Sequence, residues 1–205
     1  MVEKINNNGF DFVDLGLPSG TLWATKNIGA DNSTDFGLYF QWGDVQGYTK
    51  KEIGLGKGQK KFAHDFSDYK WYSGGAFTKY KTEGATLELE DDAANVHMGG
   101  SWHIPSSEQI QELIDNTTSN WIKMDNVNGR LFTSENDASK FIFIPASGFA
   151  WDGSVQGSES HGSVWSSMLD TGFVDGGQSL FFGSGYANIY NGGRYHGHSV
   201  RGVIG

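Results

Sequence analysis

Apolar and polar positions alternate over short distances along this chain, and the period lengthens to that of a helix only near the middle. Phe10 to Asp14, the turn Leu17-Pro18-Ser19-Gly20 and the run Thr21 to Ile28 read as strand, turn and strand, after a polar lead-in over residues 1–9 that is extended or disordered. The aromatics Phe36, Tyr39, Phe40 and Trp42 are too dense for a solvated loop and belong to the core. From about residue 44 to 85 the pattern is irregular but carries Phe62, Phe66, Tyr69, Trp71, Tyr72, Phe77 and Tyr80. It predicts an elaborated loop that packs its own aromatics on the domain, and loops of that length in compact domains are often functional.

Two helices follow. Leu87 to Met98 carries Glu88, Glu90, Asp91 and Asp92 at its start and stops at Gly99-Gly100, as the helix dipole favours. Ser106 stands three residues before Gln109, the spacing of a capping box, and Ile110, Leu113 and Ile114 form one apolar stripe, with an end near Asn116. Beyond it, Trp121, Val127, Leu131-Phe132 and Phe141 to Pro145 read as strands, with Asn128-Gly129 as a hairpin turn. The sum predicts an α+β fold: two main helices with short antiparallel strands and long loops, in one domain over 10–205.

The last forty or so residues organise the rest. Apolar, strand-like ends, His161 to Ser167 and Ser199 to Ile204, enclose a middle rich in Gly, Tyr, Asn, Ser and His with almost no Lys or Glu. Tyr offers rigid contact area and Ser, Asn and Gly offer adaptable hydrogen bonds, the composition of a recognition surface. The same residues also dominate turns.

Composition narrows the function. With 30 Gly against 3 Pro and 37% hydrophobic residues, many of them aromatic, the chain is globular and loop-rich. A net charge of -9 argues against a nucleic-acid surface, and the one basic cluster, Lys50, Lys51, Lys57, Lys60 and Lys61, reads as solvated loop charge. No cysteine is present, which excludes disulfides, thiolate metal sites and thiol catalysis. No apolar run is long enough to span a membrane, and the start lacks a signal-peptide h-region. Either the protein is made without a secretory signal or it has been trimmed of one.

The order of motifs is informative in its own right. Val13-Asp14-Leu15-Gly16-Leu17-Pro18-Ser19-Gly20-Thr21-Leu22-Trp23-Ala24 is followed by Tyr39-Phe40-Gln41-Trp42-Gly43, Leu87 to Ala94 and Gly99-Gly100-Ser101-Trp102-His103-Ile104-Pro105-Ser106. Then come Phe143-Ile144-Pro145-Ala146-Ser147-Gly148, Val164-Trp165-Ser166-Ser167 and Ser199-Val200-Arg201. Over about residues 10 to 204 this resembles the Fibrobacter-type major paralogous domain common in Bacteroidetes, itself similar to the formylglycine-generating-enzyme subset of C-type lectin folds. The resemblance implies a C-type lectin fold with paired N- and C-terminal strands. In that fold's diversity-generating-retroelement variable proteins, of Bacteroides or its phages, the stretch between the Trp-Ser-Ser motif and the final Ser-Val-Arg strand is the mutated ligand-binding surface, here about 163–198. The family often has Cys where Gly202 stands, and the enzyme-like relatives work through a cysteine pair, so their oxidase chemistry is untenable in this chain.

The reading is therefore a non-enzymatic binding protein, a receptor, adhesin or phage receptor-binding type on the extracellular face of a virion or bacterial cell. Its partner is a protein or glycan on a cell surface, with no nucleic acid and no direct membrane insertion. Met168, Asp170, Phe173, Asp175, Tyr186, Asn188, Tyr190, Asn191, Tyr195 and His196 are the candidate contact residues. Trp23, Trp42, Trp102 and Trp165 are assigned to the core. No cofactor is required. Calcium at Glu88, Glu90, Asp91 and Asp92 would make the alternative, a calcium-dependent carbohydrate-binding module of a surface lipoprotein. His161, His196 and His198 could hold a metal, but no carboxylate lies near His196 and His198 in sequence.

Overall fold

The structure, a computed structural model, describes residues 5–54 and 61–205. In chain order its strands are β1 (Ile5–Asn7), β2 (Phe10–Asp14), β3 (Leu22–Ala24), β4 (Tyr39–Phe40), β5 (Tyr72–Ser73) and β6 (Ala76–Phe77). Helices α1 (Ala93–Met98) and α2 (Ser107–Asp115) come next. Then follow β7 (Thr117–Met124), β8 (Val127–Ser134), β9 (Phe141–Pro145), β10 (Phe149–Trp151), β11 (Ser154–Gln156), β12 (His161–Leu169), β13 (Gly176–Gly183), β14 (Ala187–Gly193), β15 (His198–Ser199) and β16 (Val203–Ile204).

The expectation of an α+β fold with two main helices is overturned. Among the described residues sixteen strands in five sheets stand beside α-helices of only six and nine residues, so the fold is β-rich. Two misread stretches account for the difference. The acids of 88–91 lie in a 3-10 turn, leaving α1 only Ala93 to Met98 behind its N-cap Asp92. The Gly- and Asn-rich middle of the C-terminal stretch, read from composition as a recognition surface or as turns, forms β13 and β14. Cross-strand pairing outweighs the poor strand propensity of Gly and Asn there.

The largest sheet runs β14-β13-β12-β15-β4, and a second runs β1-β2-β3-β16, so β3 pairs with β16 antiparallel and Ile5–Asn7 pairs with β2. Residues 1–4 of the lead-in, and Lys57 and Lys60 of the basic cluster, lie outside the described residues. The capping box at Ser106 and Gln109 is present, and α2 ends at Asn116. Its Ile110 and Leu113 are buried against Leu180 and Phe182 of β13, so α2 covers one face of the large sheet. Trp42, Trp102 and Trp165 anchor one core cluster and Trp23 a second, all almost fully buried. Burying an aromatic of this size stabilises by several kcal/mol, about 3–5 by truncation to Ala.

The β7–β8 hairpin turns at Asp125-Asn126, both at positive φ, rather than at Asn128-Gly129, which lies inside β8. Asp and Asn tolerate the left-handed region that a two-residue hairpin turn demands. Gly129 is needed for another reason: a Cβ there would meet the Phe143 ring at 2.4 Å and the Ile144 carbonyl oxygen at 2.5 Å. A Cβ at Gly202 would lie 2.6 Å from the Met98 sulfur, so a side chain there needs Met98 to move. No helix among the described residues is long and apolar enough to cross a membrane.

Candidate functional site

Strand alternation builds the site. Ser179 pairs with Tyr190 and Phe181 with Asn188, so these side chains share one face of the β13–β14 ribbon. Leu180, Phe182, Ala187 and Ile189 point to the other, into the α2 core. The face is therefore open because its back is already covered. Tyr190, 64% exposed, and Tyr186, 42% exposed, lie with ring centroids 5.7 and 5.8 Å from that of Phe181.

Phe149, on β10, closes this face from the side. Its ring lies 5.8, 5.4 and 5.9 Å from the imidazoles of His161, His196 and His198, and Trp151 flanks His196 at 6.1 Å. Between them is a cavity of about 360 Å³ with Phe149, Phe181, Tyr190, Asn191, His196 and His198 in its wall. His198 stacks on Trp165 with centroids 3.7 Å apart and planes 5° from parallel, and its Nδ1 lies 2.7 Å from Ser163 Oγ. Burial holds its pKa well below the usual value, and the neighbouring His196 and His161 add to the effect. Burial likewise pushes His196 down to about 4 and lowers His161, whose Nε2 is buried with no hydrogen-bond partner. At neutral pH all three are uncharged.

The ten candidate residues divide. Tyr186, Asn188, Tyr190, Asn191 and His196 gather on or beside the cavity face. Tyr195 is half-buried, its ring 4.6 Å from both His196 and Phe66. Phe173 and Asp175 are exposed in the turn between β12 and β13, and Met168 is half-buried near the end of β12, away from the cavity lining. Asp170 is a correction: it is buried, and its Oδ1 accepts from the Gly172 and Phe173 N–H groups at 2.7 Å each. It shapes the turn and is not presented to a ligand.

Sequence reasoning missed Phe149, Phe181 and Arg194. Phe149 lies outside the C-terminal stretch, and Phe181 is masked by the apolar run Leu180-Phe181-Phe182, where only the pairing register separates inward from outward rings. Arg194 is fully buried, and its hydrogen bonds among the described residues go to a hydroxyl and to backbone carbonyls. Its Nε donates to the Tyr69 hydroxyl, Nη1 to the carbonyls of Tyr80 and Val174, and Nη2 to that of Lys79. The guanidinium also sits 4.4 Å from the Phe77 centroid and 5.1 Å from that of Trp42. It fastens the elaborated loop to the end of β14. A hidden Arg in a Gly/Tyr stretch gives no pattern signal.

The acidic cluster is already filled. Glu88, Glu90 and Asp91 offer oxygens close enough together for a metal ion, but Lys79 Nζ lies 2.6, 3.3 and 2.6 Å from them. Lys70 and the Tyr80 hydroxyl also bind Asp91, at 3.3 and 2.7 Å. The fourth acid, Asp92, is elsewhere, accepting from the N–H groups of Asn95 and Ile104. An ammonium therefore supplies the charge that calcium would. Comparison with family models, curated proteins and solved structures gives no match for this chain.

Proposed function

We propose that this chain is a non-enzymatic ligand-binding protein, of the receptor, adhesin or phage receptor-binding type, whose contact face is the outer side of β13–β14 with the turn that follows. The observation that carries this reading is the row of exposed and half-exposed rings, Tyr186, Phe181 and Tyr190, set beside a cavity on strands whose other face is locked to α2. Monomeric surfaces seldom expose clustered aromatics without a partner, and rigid aromatics are the usual anchors of binding energy. The motif order that resembles the diversity-generating-retroelement variable proteins supports the same face. The Ser163–His198 pair does not suggest hydrolysis, since Ser163 is fully buried and His198 has no carboxylate behind it. The calcium-dependent carbohydrate reading has less support because Lys79 stands in the acid cluster.

The test is to read the last forty or so codons, with the adjoining DNA, from several isolates. A near-copy differing mainly at adenines, with substitutions at Tyr186, Asn188, Tyr190, Asn191 and His196, is the expected result. Isolates that agree and carry no copy would remove diversification and leave a fixed binder. As the companion prediction, Tyr190→Ala abolishes retention on cells that bind the wild type while shifting Tm by less than about 2 °C, because an exposed ring contributes little to folding. A large fall in Tm would make Tyr190 structural.

A further inference from the structure

The cavity beside Tyr190 says what kind of group it takes. Three aromatic rings from three separate strands, Phe149, Phe181 and Tyr190, stand around it. Among the described residues no Asp, Glu, Lys or Arg lines it, and its imidazoles are neutral. The polar atoms nearest its floor are already used: Ser179 Oγ donates to the Tyr190 carbonyl and His198 Nδ1 pairs with Ser163. A sugar ring would have to surrender several hydrated hydroxyls for the few donors left, chiefly the His196 ring, whereas an aromatic ring has little polar surface to desolvate. A volume of about 360 Å³ admits one such ring with room for its stem.

The charge changes abruptly at the rim. Beyond Tyr195, whose ring touches His196 at 4.6 Å and Phe66 at 4.6 Å, stand two exposed carboxylates: Asp65, next to Phe66, which accepts from the Ser67 N–H and lies 3.6 Å from His64, and Asp175 in the turn before β13. On the Tyr186 side Arg130 is committed to the carbonyls of Gly183 and Tyr186 and to Ser119. The rim by Tyr195 is thus acidic around an uncharged socket, in a chain of net charge -9.

We propose that the cavity is a socket for an aromatic side chain of a partner protein, with a Lys or Arg of the same segment meeting Asp175 and Asp65. The proposal rests on the reading of β13–β14 as the binding face and narrows it to one chemistry. Neutral-ring burial would supply the affinity, and the acidic rim would set orientation and association rate.

The test uses blocked dipeptides and a methyl glycoside as probes, with the full chain followed by NMR. N-acetyl-Trp-Lys-amide should shift the Tyr190, Phe181 and His196 resonances at millimolar concentration. It should bind several-fold more tightly than N-acetyl-Trp-Glu-amide at low salt, and the difference should vanish at 0.5 M salt. Asp175→Asn, an exposed change, should remove most of that preference, and Tyr190→Ala should weaken both peptides alike. Shifts with methyl galactoside but with neither peptide would overturn the socket while leaving the binding face intact. Equal binding of the two peptides at low salt would overturn the charged rim, and shifts from no probe would overturn the whole proposal. Isolate sequencing and cell retention test the binding face independently of these outcomes.

Discussion

Arg201 and Arg194 show how much can hang on one side chain. Arg201 is fully buried, and its guanidinium donates to Asn27 Oδ1 and to the carbonyls of Ala24 and Phe143, at 2.9, 2.9 and 3.0 Å. Burial without a carboxylate lowers its pKa to about 9. It staples the β3 end to β9. Arg194 does the same for the elaborated loop. Arg194→Ala should cost roughly 3–5 kcal/mol, since it strands three carbonyls and empties an aromatic box. Arg194→Lys should recover only part of this, because an ammonium cannot fork to Tyr69, Tyr80 and Lys79 together. Chemical denaturation of the two variants checks both statements, and a loss below 1 kcal/mol for the alanine would show that the loop holds itself. Arg201 stands in the Ser199-Val200-Arg201 motif, but nothing in the sequence marks either arginine as a buried staple. The four tryptophans could be placed, because a large ring in a polar neighbourhood has few places to go but the core.

Elements differ in how plainly they were written. Helix α2 was legible because capping chemistry and a 3.6-residue stripe agree, and Phe10 to Asp14 is the strand its alternation predicts. The β7–β8 turn was misplaced by three residues, since Asp125-Asn126 and Asn128-Gly129 both satisfy the local rule and only the contact between β8 and β9 at Gly129 decides. Asn126→Gly should therefore stabilise the protein by about 0.5–1 kcal/mol by removing the left-handed cost, readable as a rise in Tm. A fall would mean that the Asn side chain holds the turn. Helix α1 is shorter than expected, and β13 and β14 were not recognisable as strands, for one shared reason: acids, Gly and Asn carry weak local preferences, and long-range pairing decides their state. The acidic turn before α1 makes a related prediction. Millimolar calcium should leave the wild-type Tm within about 1 °C, and Lys79→Ala should create a calcium-dependent rise by clearing the three oxygens.

For the molecule as a whole, the imidazole cluster sets the pH response. His161, His196 and His198 have folded pKa values below the unfolded value, so the unfolded chain binds more protons than the native one in between. Stability is full above about pH 6.5 and falls as pH drops toward about 4, where His196 begins to titrate in place. The slope approaches roughly 1.4 kcal/mol per pH unit for each imidazole kept neutral. Urea midpoints at pH 7 and pH 5 measure it. The double variant His196→Gln, His198→Gln should flatten the profile, and an unchanged slope would place the sensitivity elsewhere. Because the three rings surround Phe149, acidification should also loosen the cavity wall before global unfolding, visible as early shifts at Phe149 and Phe181.

The alternation of β14 has a consequence for how this surface can change over generations. Ala187 and Ile189 are held against α2, while Asn188 and Tyr190, alternating with them, face solvent. A saturation scan of the strand should return a comb, with permissive and intolerant codons taking turns. Chemical novelty can be written on every second letter while the intervening letters keep the fold.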